Sequence, residues 1–141
     1  MFDKNYEDRL AAWRDFRNSL ETSTDPFRDL YLFYQSAPFV SIHTDPWNNK
    51  VWPGPWELVL ENQYDDFCRV LGMCYSLQLT ERFKGSSFEI HISIDNEKSE
   101  TYYLLYVDGT ILNWQYGEVI DEKQLPKTVI SHKIHTMSAI N

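Results

Sequence analysis

The chain has 141 residues, a mass of 16.8 kDa and a formal net charge of −8, which predicts one ordinary domain and argues against a two-domain enzyme. With 43% hydrophobic and 24% charged residues it has material for a core and no compositional case for disorder. A pI near 4.9 argues against a phosphate-backbone footprint and against docking on an anionic membrane, so neither nucleic acid nor a membrane is expected as a partner.

Tyr6, Leu10, Trp13, Phe16 and Leu20 recur at helical steps among polar residues and predict an amphipathic helix over 5–20. Thr22 to Asp25 supply cap candidates, Pro26 suits a first turn, and Phe27, Leu30, Tyr31 and Tyr34 predict a short second helix ending before Pro38. From 36 to 54 prolines and asparagines break the chain repeatedly, giving an ordered loop that carries Trp47 and Trp52. Pro55 opens a brief helix through Trp56 and Leu60. Asp65 is then the expected N-cap of a central helix over 65–79, whose core stripe is Phe67, Val70, Leu71, Cys74 and Leu77.

After Lys84-Gly85-Ser86-Ser87 the period changes to two: Phe88, Ile90, Ile92 and Ile94 alternate with Glu89, His91, Ser93 and Asp95. A hairpin leads into a second strand over 101–107, the Asp108-Gly109 turn into a third over 111–116, and a fourth is expected over 128–134. Helices in the first half and strands in the second make an α+β domain, with the helices packed on one face of an antiparallel sheet of three to four strands.

Cys68, at the third position of the central helix, followed by His91 on the next strand and Asp108 after the second strand, is the constellation with most chemical content. A thiolate is the nucleophile, a helix N-terminus and an imidazolium lower its pKa, and a carboxylate fixes the imidazole tautomer. Cys68 shares a stripe with Gly72 and Tyr75 rather than with the core stripe, which turns it toward a different surface. Cys74 reads as core, and a disulfide between the two is not expected, because their spacing turns them about 120° apart on a helix. Against nucleophilic use stand Asp65 and Asp66, which raise a thiol pKa, and the turn role that Asp-Gly already gives Asp108. In order and elements, residues 55–116 resemble the papain-like fold of the transglutaminase-like superfamily. That resemblance implies cleavage or exchange of an amide bond through an acyl-enzyme on Cys68, with His91 as base and Asp108 as orienter. The segment from Asp45-Pro46-Trp47 to Trp52-Pro53-Gly54-Pro55-Trp56-Glu57-Leu58 is similar to small proteins of large tailed bacteriophages, which implies an origin rather than an activity.

Trp47, Trp52 and Trp56 have two readings: rigid contact residues for a protein partner or a sugar ring, or rings that complete the core, with one of the three left exposed. His132 and His135 point to opposite faces of a strand and make a poor metal pair, and His43 with Asp45 has no spaced partner. Glu57, Glu61, Asp65 and Asp66 read as a solvated helix face. Gly-rich phosphate loops are absent, so neither a nucleotide cofactor nor a metal is expected. The N-terminus lacks the basic end and apolar stretch of a secretory signal, and the cytoplasm, or a virion if the origin is phage, is the expected location. The favoured function is a non-catalytic binding or assembly module for a protein or peptide partner. The alternative is a Cys68-His91-Asp108 thiol enzyme, and a nucleic-acid mimic is disfavoured because the charges are scattered.

Overall fold

The computed structural model describes residues 1–41 and 44–140. Helices α1 (Tyr6–Leu20), α2 (Pro26–Gln35), α3 (Pro55–Glu61) and α4 (Asp66–Gln78) precede strands β1 (Phe88–Asp95), β2 (Glu100–Val107), β3 (Thr110–Leu112) and β4 (Val129–Thr136). The strands form one antiparallel sheet in the order β3-β2-β1-β4, so the chain is an α+β domain as its pattern predicts. Cap residues start three of the helices: Asn5, Asp25 and Asp65 each accept a hydrogen bond from a backbone N–H three residues on. Asn62 closes α3 in the left-handed region, at φ 53°.

Helix α4 is the centre of the molecule. It packs on β2 on one side and on α1, α2 and α3 on the other. From Phe67 to Gln78 every residue but Arg69 is buried, the condition of a helix that is covered all round. The expectation that Cys68 looks out on a different surface from the core stripe is therefore corrected: Cys68, Gly72 and Tyr75 are as enclosed as Leu71 and Cys74. The surface on that side of α4 is covered by the neighbouring helices and by the loop before α3.

Strand alternation divides the sheet into two faces. Phe88 and Ile90 of β1, with Leu105, Val107 and Leu112, join α4 in the main core. On the outer face Leu104, Tyr106 and Ile111 form a second cluster with Trp114, Ile120 and Val129. Trp114 and Ile120 lie beyond the end of β3, which is shorter than the strand expected over 111–116. Asn113 enters the left-handed region at φ 68° and donates its side-chain amide to the Tyr103 carbonyl at 2.9 Å, which ends β3 at Leu112. The chain then folds back, pairing Ile120 with Ile111 through two backbone hydrogen bonds of 2.8 and 3.0 Å. Asp108 and Gly109 have φ of 50° and 84°, the doubly positive pair that a type I′ hairpin requires.

Candidate functional site

Cys68 lies at the third position of α4, where Asp65 accepts its backbone N–H at 2.7 Å. The other carboxylate oxygen of Asp65 accepts from the Thr44 N–H at 2.9 Å, which ties the loop before α3 to the start of α4. The thiol donates to Thr44 Oγ1 at 3.3 Å and has no exposed surface. Burial pushes its pKa from 9.0 up to about 12, with the Asp65 charge adding to the rise and the Thr44 hydrogen bond opposing it. Asp65 is itself buried, so the acidic run is not a solvated face along its whole length.

A thiol pKa raised on folding means that the folded chain holds a proton the unfolded chain releases. This contribution to stability is whole below pH 9.0 and is lost as pH rises toward about 12. Cys74 and the buried tyrosines Tyr34, Tyr64 and Tyr75 shift in the same upward direction by burial. Two results are expected: iodoacetamide at pH 8 modifies neither cysteine of the folded chain, and the denaturation midpoint falls steadily above pH 9. Native labelling of Cys68 at the rate of an exposed thiol is the outcome inconsistent with its burial.

His91 is on the other side of the sheet. It pairs with Leu104, a residue of the outer cluster, whereas its neighbour Ile90 pairs with Leu105 in the core that holds Cys68. Its ring stacks on Tyr106 with centroids 3.6 Å apart and planes at 11°. Nε2 is 3.0 Å from Glu89 Oε1, and Nδ1 is 2.7 Å from Ser131 Oγ. Asp108 accepts the Ser87 N–H at 2.8 Å in the hairpin, about 13 Å along the sheet from His91 at the usual rise per residue. Cys68, His91 and Asp108 are therefore not brought together. A period of two assigns His91 to the face opposite Ile90, and α4 covers only the Ile90 face.

The Trp loop is divided between the two roles considered for it. Trp52 is half-buried, its ring 4.8 Å from Phe67 and 4.5 Å from His135, and its indole N–H donates to the Asp45 carbonyl at 3.0 Å. Asp45 also accepts the Trp47 N–H at 2.9 Å, so the loop is fixed at both ends of this turn. Trp47 is 49% exposed, and Trp56 is 48% exposed while its edge meets Trp13. His135 turns inward against Trp52, and His132 lies exposed on the same strand, so the pair does not converge. His43 lies outside the described residues, and among those described no group of three or more His, Cys, Asp or Glu is placed to hold a metal ion.

What the loop does build is a cavity of about 230 Å3 at the start of α4, walled by Trp47, Phe67 and Tyr103 with Asp65 and Asp66 beside it. Burial, then the charges of Asp65, Asp66 and Asp45, push the Tyr103 phenol up. The nearest cation on α4, Arg69, is turned over the Phe39 ring at 5.2 Å. Strand alternation with Leu105 and Val107 directs Tyr103 toward the helices, which brings it to the Trp loop. Compared with family models and with curated proteins, the chain matches none of them.

Proposed function

We propose that this chain is a binding module that grips a protein partner at the Trp loop, the cavity beside Trp47 taking a lysine or arginine side chain of that partner. One observation carries the reading: aromatic walls and the carboxylates of Asp65 and Asp66 meet at a single opening, the combination that attracts an organic cation through both ring faces and charge. The similarity of residues 45–58 to small phage proteins makes assembly in a phage particle or an infected cell the setting of the proposal. The transglutaminase-like resemblance enters it as ancestry alone, and His91 facing away from α4 argues against carrying over the family's chemistry. No helix among the described residues is long and apolar enough to cross a membrane.

Titration with a short lysine-rich peptide, followed by fluorescence, tests the reading. Trp47→Ala and Asp66→Asn are each expected to weaken binding at least about tenfold, the range of an interface hot spot, while Glu97→Gln on the remote hairpin leaves it unchanged. Binding that responds equally to all three substitutions is diffuse attraction to an acidic surface and rejects the site.

A further inference from the structure

The outer sheet face holds a side-chain array that the Trp loop does not use. Glu89, His91 and Ser131 lie in a line, with 3.0 Å between Glu89 Oε1 and His91 Nε2 and 2.7 Å between His91 Nδ1 and Ser131 Oγ. Glu89 and His91 share a face because they are two residues apart on β1. Ser131 reaches it through an irregularity: β1 and β4 shift register between Ile92 and Ser93, so His132 is the extra residue of a bulge. The bulge allows Ser131 and Ile134, three apart, to flank His91 on one face, where an unbroken strand sends them to opposite faces.

An ionised carboxylate only accepts, so Glu89 draws the imidazole hydrogen to Nε2 and leaves a lone pair on Nδ1. The Ser131 hydroxyl donates to that lone pair. The buried His91 ring cannot turn away, because it is stacked on Tyr106 and enclosed on the face where Leu104 and Tyr106 pack. Ser93 Oγ stands 3.4 Å from Ser131 Oγ, and the Tyr106 hydroxyl is a further hydrogen-bond partner of the Ser131 side chain. Nucleophile, base and orienting acid thus occur in the order and at the distances that acyl transfer uses, with the two ring nitrogens exchanged relative to the common arrangement.

We propose that Ser131, His91 and Glu89 form a serine nucleophile that accepts neutral acyl esters. Ser131 is half-buried and reachable, and Ile134, paired with His91 and 51% exposed, offers an apolar rest for the acyl chain. Glu89 and Glu122, whose charges both act on the neighbouring Tyr106, repel an anionic substrate. Ser131 Oγ bonds to the carbonyl carbon while its proton passes to His91 Nδ1. The ester C–O bond then breaks and the alkoxide leaves with that proton. Water attacks the acyl-serine in the same way, releasing the acid and restoring the hydroxyl. His91 handles the proton and is catalytic, whereas Glu89 is a positioning residue.

The test is labelling of the full chain with an alkyl fluorophosphonate, read site by site by peptide mass spectrometry, with the exposed Ser99 as internal reference. Ser131 is expected to label at least about 100-fold faster than Ser99, the lower range of general-base assistance. His91→Gln removes that advantage, Glu89→Gln reduces it about tenfold, and Glu89→Asp restores part of it, a graded response that a purely structural carboxylate does not produce. Equal rates for Ser131 and Ser99 in the unsubstituted chain overturn the proposal, whether or not the variants fold. Unchanged Ser131 labelling in a folded His91→Gln chain overturns it as well.

Discussion

Gly72→Ala lowers the stability of the chain by about 2 to 3 kcal/mol, although alanine is the better helix former by up to about 1 kcal/mol. The reversal comes from Tyr34. A Cβ on Gly72 stands 2.5 Å from Tyr34 Cε1, 2.7 Å from Cζ and 2.9 Å from the hydroxyl, all inside contact distance. The ring has nowhere to go, because Tyr34 is 2% exposed, with its hydroxyl 3.0 Å from Ser76 Oγ. Ser76 in turn accepts the Trp13 indole N–H at 2.9 Å and donates to the Gly72 carbonyl at 2.8 Å, so moving Tyr34 disturbs the contact between α1, α2 and α4. Guanidinium unfolding measures the change through its midpoint, and Gly85→Ala, where an added Cβ meets nothing within 4 Å, serves as the control. Equal midpoints for the two variants contradict the close approach of α2 to α4.

Phe67→Ala costs more, about 3 to 5 kcal/mol, the range for removing a buried aromatic ring. Phe67 is 1% exposed, and its ring touches both Trp52 at 4.8 Å and Tyr103 at 5.4 Å. It therefore joins the Trp loop, α4 and the sheet at one point, and it forms a wall of the proposed cation cavity. Its removal is expected to lower the unfolding midpoint and, under native conditions, to shift Trp52 fluorescence toward that of a solvated indole. Phe67→Leu, which keeps most of the volume, is expected to lose less than about 1.5 kcal/mol. A truncated variant with unchanged stability and emission shows that the loop is held by its own hydrogen bonds at Asp45 rather than by packing.

The α+β class, the four helices and the hairpin at Asp108-Gly109 were legible because each rests on local rules: helical period, cap residues, alternation and a turn that demands positive φ. The placement of His91 opposite Ile90 was also contained in the alternation of β1. Which of those faces meets α4 was not, since a period of two defines two faces without saying what covers either. The same limit applies to Cys68. Its helical stripe differs from that of Leu71 and Cys74, and stripes report exposure only when one side of a helix is open. In this chain α1, α2 and α3 close the other side. Of the candidate site, Trp47 and Trp52 were visible as rigid rings, whereas Tyr103 joined them only through the packing of β2 under α4.

Ser131 left no signal at all, because its side chain is re-aimed by a one-residue bulge and no composition or spacing marks a register shift. The third strand shows the boundary most plainly. Apolar residues continue past Leu112 to Trp114, yet the ladder stops where Asn113 turns left-handed and bonds Tyr103 across the sheet. Contacts between near neighbours specify the elements, their order and the two faces of each strand, so all of these can be read along the chain. Tertiary structure alone decided which faces are covered, which carboxylates converge beside Trp47 and which serine meets His91, because those depend on pairings between residues far apart in the chain.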